Sequence, residues 1–148
     1  MGITTAMCTS FKSELLGGTH DLDTHTIKLA LIKASPSGTY NAATTNYSDV
    51  TGNSDEASGT GYLAGGGSDG TLAGAAISTD GTTAIVDFTD AVFSTVTVSA
   101  DGCIIYNSSA SGKAIAVIDF GGTKTSTNGN FTVQFPAADA SNAIIRIA

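Results

Sequence analysis

The stretch Gly59-Thr-Gly-Tyr-Leu-Ala-Gly-Gly-Gly-Ser-Asp-Gly-Thr-Leu72 divides the chain into two parts with different residue patterns. Ahead of it lie a short helix-like segment, a strand-like segment and a long polar run. After it, apolar and polar residues alternate with a period of two almost to the end of the sequence, as in β-strands. The stretch therefore marks the point where a mostly β-structured region begins.

The alternating segments after Leu72 are short. Turn signals separate them, at Asp80-Gly81 and Asp101-Gly102 and in a further turn bracketed by Gly121-Gly122 and Asn128-Gly129. Together with an earlier strand they make seven or eight strands, at a spacing of about ten residues. The predicted strands after Leu72 cover residues 72–78, 82–89, 92–99, 103–106, 114–120, 131–135 and 143–147. This spacing predicts an all-β fold, an antiparallel β-sandwich or barrel.

The N-terminal part adds one helix and one strand. Thr9–Leu16 is predicted to be a short helix, with a hydroxyl of its first or second residue as cap and Gly17-Gly18 as its end. Because two helical turns are unstable alone in water, Phe11 and Leu15 must pack against other parts of the protein. Thr26–Ile32 alternates like a strand.

The predicted domain organisation is a single β-rich domain over residues 1–148. Residues 1–25 form an N-terminal arm with the short helix, and residues 40–72 form a polar and glycine-rich loop region. Within that region, Tyr40–Ser58 has no clean periodicity and is predicted to be a loop, of a length that is usually functional or mobile.

Composition narrows the function classes. The chain is 41% hydrophobic and only 13% charged, with a net charge of −7. Its few Lys and Arg residues are scattered, so it lacks the basic cluster that neutralises phosphates, and no nucleic-acid or anionic membrane partner is expected. A neutral, hydroxyl-rich surface of this kind can be covered by neighbouring subunits. No apolar run approaches the length that crosses a bilayer.

Two cysteines, Cys8 and Cys103, lie far apart in the sequence. Neither belongs to a CxxC pair or a zinc-finger spacing. Two free thiols are the favoured interpretation, and a disulfide is the alternative. The first residues carry no secretory-signal pattern, which predicts synthesis and folding in a cytoplasm.

Two glycine motifs resemble catalytic or nucleotide-binding signatures. Gly59–Gly65 loosely matches a dinucleotide fingerprint, but no apolar strand precedes it and no amphipathic helix follows. The segment Gly66-Gly-Ser68-Asp-Gly70 fits G-x-S-x-G, but a nucleophile elbow needs a late histidine, whereas His20 and His25 come early. Both motifs are interpreted as loop glycines that permit unusual backbone angles and close packing. Tyr62 and Leu63 are the expected anchors of this connection.

Acidic and histidine residues offer two further candidates. The segment His20-Asp-Leu-Asp-Thr-His25 holds four possible metal ligands, but they do not converge on one face of an extended chain. The carboxylates near strand ends could form a glycosidase pair only at a suitable separation, and they are Asp87, Asp90, Asp101 and Asp119. Asp119 is expected to be partly buried and to accept a hydrogen bond from a turn amide beside Gly121. No catalytic, cofactor-binding or metal-binding residue is predicted.

Six segments, in order along nearly the whole chain, carry a family resemblance. They are Thr9–His20, Ile27–Leu31, Gly59–Gly67, Ile105–Asn107, Ala114–Gly121 and Phe131–Pro136. The ordered set resembles small virion structural proteins of tailed bacteriophages. This chain departs from that pattern in a longer run before the glycine stretch and in the insertion Gly67-Ser-Asp-Gly70. The resemblance implies a β-rich fold and a capsid-associated or other virion role, with no catalytic residues.

The expected function is therefore that of a phage virion structural protein, assembled in the host cytoplasm. A head decoration or cement protein bound between capsomers is preferred, with the major capsid protein or other virion proteins as partners. A homo-oligomer is also expected. The alternatives are a tail, neck or fibre component, or, in another class, a carbohydrate-binding or adhesive module that uses Tyr40, Tyr47 or Tyr62. No enzymatic activity and no cofactor are expected.

Overall fold

Three β-sheets form the framework of the protein, whose computed structural model describes residues 2–148. The strands within that range are β1 (Gly2–Ile3), β2 (Ala6–Met7), β3 (Ile27–Lys33), β4 (Thr39–Tyr40), β5 (Ala76–Asp80), β6 (Thr83–Asp87), β7 (Ala91–Asn107), β8 (Lys113–Val133) and β9 (Ile145–Ile147). Two α-helices, α1 (Thr9–Leu16) and α2 (Tyr47–Gly52), and 3₁₀ turns at Ala64–Gly66 and Ser108–Ala110 connect them. The predicted all-β class, with antiparallel sheets and a short N-terminal helix, is confirmed.

The largest sheet has the strand order β2-β8-β7-β3, and all its neighbours are antiparallel. A second, antiparallel sheet has the order β5-β6-β9, and β1 pairs in parallel with β4. The core lies on both faces of the large sheet, where residues such as Leu29, Ile104 and Ile115 are fully buried. The strands β7 and β8 lie at the centre of this sheet, where their segments 103–106 and 114–117 are buried on both faces.

The long strands β7 and β8 differ from the short strands that the sequence predicts. Two predicted turns, Asp101-Gly102 and Gly121-Gly122, lie opposite each other inside this ladder, where the register shifts between Ala100 and Gly102. The ladder resumes on both sides, so the glycines form an irregular bulge and not a reversal. Asn128-Gly129 is likewise inside β8, with Asn128 at φ 49°. Turn-forming residues also suit bulges, so the turn signals in the sequence predicted strand ends at places where β7 and β8 continue.

The helix α1 has the predicted bounds and a different cap. Cys8 occupies the N-cap position without a side-chain hydrogen bond, so the expected hydroxyl cap is wrong. At the other end, Gly18 adopts φ 78°, and the N–H of Thr19 donates to the carbonyl of Glu14 at 2.9 Å, which satisfies an otherwise unpaired carbonyl of the last turn. Phe11 is buried in the core as expected.

The segment Tyr40–Ser58, predicted as a loop, contains the helix α2. Asn46 caps this helix by accepting a hydrogen bond from the N–H of Ser48, and the carboxylate of Asp49 accepts one from the N–H of Asn46. This reciprocal arrangement is a capping box, which stabilises a helix start. Only one residue of α2, Val50, is buried, so a helix period is hardly visible in the sequence.

Both cysteines are buried and free, which confirms the favoured prediction of two thiols. No helix within residues 2–148 is long and apolar enough to span a membrane.

Candidate functional site

The glycine-rich stretch interrupts a strand that would otherwise pair along the outer edge of β3. Ile32 forms a bridge with Glu56, and Lys28 forms one with Thr71, both antiparallel. In an uninterrupted strand Thr60 would lie opposite Lys28. The chain between the two bridges, residues 58–69, therefore leaves the sheet and returns to it. We call this segment the glycine-rich loop.

A tyrosine side chain closes the gap that this interruption leaves. The N–H of Lys33 donates to the carbonyl of Asp55 at 2.8 Å, and the N–H of Leu29 donates to the carbonyl of Gly70 at 2.7 Å. Between them, the N–H of Leu31 donates to the hydroxyl of Tyr62 at 2.9 Å. Three successive outward N–H groups of β3 are thus satisfied, two by backbone and one by a phenol.

The carboxylate of Glu56 fastens the base of the glycine-rich loop. One oxygen accepts hydrogen bonds from the Tyr62 hydroxyl at 3.0 Å and from the N–H of Gly65 at 2.5 Å. The other accepts from the Tyr47 hydroxyl at 2.5 Å. The Tyr106 hydroxyl donates to the carbonyl of Gly65 at 2.8 Å, and its ring stacks on Tyr47 at 4.5 Å. Four side chains therefore hold one turn of the loop in place.

These phenols serve as protonated hydrogen-bond donors. Burial, followed by the nearby Glu56 carboxylate, raises the pKa of Tyr106 to about 12. The same two causes raise the pKa values of Tyr47 and Tyr62 further. A phenol with a raised pKa stays protonated at neutral pH and keeps donating its proton to the hydrogen bonds just described. The chemistry of this cluster is structural.

The glycines of the loop are required for close packing against the sheet. A Cβ on Gly66 would lie 2.0 Å from the carbonyl oxygen of Leu29, and one on Gly59 would lie 1.8 Å from that of Thr97. Gly66 also has φ 84°, which disfavours other residues. The loop carries only the short 3₁₀ turn Ala64–Gly66, so it has no helix dipole for a phosphate. The interpretation of these glycines as packing residues fits this geometry.

Ser68 lies in an exposed turn, where its carbonyl accepts a hydrogen bond from the N–H of Thr71 at 3.1 Å. Its neighbours do not make it a nucleophile, because the ring nitrogens of His20 and His25 contact Glu14 and Asn107 instead. The geometry of a nucleophile elbow, with a base beside the hydroxyl, is not formed here.

The two histidines meet at the end of β7. The side-chain amide nitrogen of Asn107 lies 3.0 Å from Nδ1 of His20 and 2.9 Å from Nδ1 of His25. The amide oxygen of Asn107 accepts from the N–H of Ala110, so its nitrogen must face the rings. Both Nδ1 atoms are therefore acceptors, and Nε2 of His20 donates to Glu14 at 2.8 Å. The tertiary structure thus brings together two histidine side chains that the strand period alone would place on opposite faces.

The neighbouring acids do not join the histidines in a metal site. The carboxylate of Asp21 accepts hydrogen bonds from the N–H groups of Asp23 and Thr24 and so closes its own turn. Among residues 2–148, no group of three or more histidine, cysteine, aspartate or glutamate side chains is placed to hold a metal ion.

The strand-end acids make local hydrogen bonds. Asp101 accepts from the N–H of Ser35 and the hydroxyl of Thr123, and Asp90 accepts from the N–H of Phe135. Asp119 accepts from the N–H of Gly121 at 2.9 Å, as predicted, but it is exposed and not partly buried. Its neighbours in the sequence, Ile118 and Phe120, are only half-buried because β8 leaves the core there. One oxygen of Asp87 is buried without a partner within the described chain.

Tyrosines are not available as a flat surface for a sugar. Tyr40 and Tyr62 are buried, and Tyr47 stacks on Tyr106. An open groove of about 550 Å³ lies instead beside the bend of β8, where the rings of Phe120 and Phe131 are 6.0 Å apart. All residues that line this groove lie between Ile118 and Pro136, so β8 and the residues that follow it form the groove by themselves.

Two leucines are strongly exposed. Leu63, in the glycine-rich loop, is 64% exposed, and Leu16, at the end of α1, is 92% exposed. Leu63 directly follows Tyr62, whose hydroxyl is fixed by Leu31 and Glu56. An apolar side chain on a fixed backbone can bind a partner with little loss of conformational entropy. The loop is therefore the best candidate contact site.

No match to this chain was found by comparison with models of protein families, with curated proteins or with solved structures.

Proposed function

We propose that this chain is a structural protein of a tailed-phage virion, and most specifically a head decoration protein that binds between capsomers. The proposal takes its virion assignment from the ordered resemblance of six segments. Its partner is the major capsid protein, its location is the virion, and it has no enzymatic activity. The single observation that carries the contact role is Leu63, which is 64% exposed on a loop fixed by four side chains.

Exposed leucines suit burial against another protein. Burying a leucine side chain stabilises a complex by about 1.5–3 kcal/mol, so Leu63 and Leu16 together supply a useful part of the binding free energy. Many copies on a regular shell add their contacts, because each bound copy raises the effective concentration of its neighbours.

The low charge of the chain is also consistent with this role. Only 13% of its residues are charged, and the cores of protein interfaces are depleted in charge. Several polar and ionised side chains, such as Glu56 and Asn107, are used in hydrogen bonds within the chain. These groups do not converge on an open cleft, so surface contact is the activity the geometry favours.

Co-sedimentation with empty capsids tests the proposal. The wild-type protein should bind in a fixed ratio to the capsomers, and Leu63→Ser should bind at least about tenfold more weakly, as expected for an apolar anchor. Ser68→Ala, an exposed change in the same loop, is the matched control and should bind like wild type. Binding to tail or neck assemblies and not to capsids would overturn the head assignment in favour of the tail, neck or fibre alternative.

A carbohydrate-binding or adhesive role is the second candidate, and the groove beside β8 favours it. Apolar rings there, Phe120 and Phe131, are bordered by the polar side chains of Lys124, Asn130 and Gln134. Retention on a glycan array that is lost in Phe131→Ala, together with no binding to capsids, would replace the virion proposal.

A further inference from the structure

The strand β5 forms one edge of the sheet β5-β6-β9, and no strand pairs with its outer side within residues 2–148. All five of its residues are exposed, so both of its faces are largely uncovered. Ile77, at 57% exposure, is the largest apolar side chain on it. An edge of this kind is a template for another strand.

Other unpaired edges of the protein carry features that oppose such pairing. Beyond Val117, the outer side of β8 has no partner strand among the described residues, but bulges break its regularity. The strand β9 is only three residues long and carries Arg146. In contrast, β5 pairs with β6 in an unbroken register from Ala76 to Asp80, and it contains no lysine, proline or bulge. Of the three edges compared, β5 is the one without such features.

The hairpin geometry fixes which groups of β5 point outward. Asp80 pairs with Thr83, and the turn between them has two residues, Gly81 and Thr82. In a hairpin of this kind, Asp80 and Thr83 exchange backbone hydrogen bonds. Because such pairs alternate along an antiparallel ladder, Ser78 and Ala76 also bond to β6. The N–H and C=O groups of Ile77 and Thr79 therefore face the open side.

We infer that β5 pairs with β5 of a second copy of this chain, antiparallel and centred on Ser78. That register places Ile77 opposite Thr79 of the second copy, so the outward groups of both residues meet as a hydrogen-bonded pair. The two Ser78 residues face each other at the two-fold axis. The result is one continuous six-stranded sheet, β9-β6-β5 joined to its symmetry mate.

The charges on β5 allow this pairing. Its only ionised residue, Asp80, lies opposite Ala76 of the second copy, so like charges do not meet across the strands. The Asp80 carboxylate also accepts a hydrogen bond from the N–H of Ala140 at 2.8 Å in its own chain. A two-fold contact uses the same surface on both copies and therefore stops at a dimer. The inference is independent of the proposed virion role.

A five-residue edge buries less than the roughly 1,200 Å² of a standard interface, so we expect dissociation in the micromolar range. Sedimentation velocity over a concentration series should show monomer and dimer in exchange. Ile77→Lys should weaken dimerisation at least about tenfold, because it places two like charges close to the axis. Ile147→Lys, on the opposite edge of the same sheet and 50% exposed, is the matched control and should leave the dimer unchanged.

Disulfide trapping checks the register without relying on stability. Ser78→Cys should form a disulfide-linked dimer with oxidised glutathione, because facing residues of a non-hydrogen-bonded pair lie about 4.5 Å apart at Cα. Thr82→Cys, in the exposed turn after β5, should not. The native thiols do not interfere, since both are buried. Two results would overturn the inference. One is a wild-type protein that stays monomeric at concentrations 100-fold above the expected micromolar dissociation constant. The other is trapping at Thr82→Cys and not at Ser78→Cys.

Discussion

The hydroxyl of Tyr62 completes the hydrogen bonding of an edge strand by accepting the backbone N–H of Leu31 at 2.9 Å. A side chain thus takes the place of a missing strand residue, at the point where the glycine-rich loop leaves the sheet. The same hydroxyl donates its proton to Glu56. One oxygen therefore links the sheet, the loop and the carboxylate that fixes the loop.

Tyr62→Phe should reduce the free energy of unfolding by about 1–3 kcal/mol, because it leaves the buried N–H of Leu31 without a partner. The measurement is urea unfolding, in which the midpoint should fall while the slope stays constant. Ser68→Ala is the control, and its exposed side chain should contribute less than about 0.5 kcal/mol. Equal midpoints for wild type and Tyr62→Phe would contradict the assigned role of the hydroxyl.

Gly66→Ala should be strongly destabilising, by about 3 kcal/mol or more, because its Cβ would lie 2.0 Å from the Leu29 carbonyl at a positive φ. The protein chain offers a matched control in Gly52→Ala at the end of α2, where a Cβ meets no neighbour. That change should be neutral or stabilising by up to about 1 kcal/mol, because alanine favours helix. The measurement is thermal unfolding of the two variants side by side. Equal losses of stability in Gly66→Ala and Gly52→Ala would refute the packing argument.

Asp55 is a buried carboxylate at the centre of a network of hydrogen bonds. It accepts from the N–H groups of Ser37 and Gly38 and from the hydroxyl of Tyr40, and Lys33 forms an ion pair with it at 2.9 Å. Burial alone would raise its pKa, but these contacts hold the pKa well below its ordinary value of 3.8. The ionised form therefore stabilises the fold.

Asp55→Asn should lower stability by about 3 kcal/mol at pH 7, since a buried charged network loses its centre. A depressed pKa stabilises above pH 3.8, and this contribution is lost as the pH falls from 3.8 through the folded-state pKa. The stability gap between wild type and variant should therefore narrow when unfolding is measured at pH 3 or below. The exposed change Asp23→Asn should show no such gap. A gap that grows with acidity would have the wrong sign for this mechanism.

The thiols of Cys8 and Cys103 should be unreactive in the folded protein. Burial, with smaller contributions from Asp49 and Glu14, raises the pKa of Cys8 to about 11, and burial raises that of Cys103 further. Thiolate is the reactive form, so titration with a thiol reagent at pH 8 should detect no group in buffer and two groups in urea. Rapid reaction of one thiol in buffer would show that its site opens easily.

Strand content was predictable because its signal is local. Thr26–Ile32 and Thr82–Thr89 alternate in residue type, and the structure places β3 and β6 there. The predicted strand Leu72–Ser78 begins four residues before β5 and ends two residues before it does, because β5 is exposed on both faces and carries no alternation that burial would impose. The prediction of the loop Tyr40–Ser58 failed where α2 depends on a capping box and one buried valine.

The candidate sites were less predictable than the strands. The strand period predicts that His20 and His25 do not converge on one face. In the structure both rings contact Asn107, which lies more than 80 residues away in sequence. Leu16, the last residue of α1, is exposed because the helix ends in that turn. Tyr62 and Leu63 are the expected anchors of the glycine stretch. The contacts of Tyr62 with Leu31 and Glu56 give it that role, whereas the expectation for Leu63 is wrong, because its side chain is exposed.

By itself, the sequence determined the class of fold, the helix Thr9–Leu16 and the role of the glycine stretch as a closely packed connection. Residue period and neighbouring residues set these features, and both can be read along the chain. Only the tertiary structure decided that Gly121 and Asn128 form bulges, that Tyr62 repairs the edge of β3, and that β5 is left open. Each of these features depends on which strand, distant in sequence, pairs with the segment in question. The free energy of such pairing comes from long-range contacts and cannot be read from a local stretch of sequence.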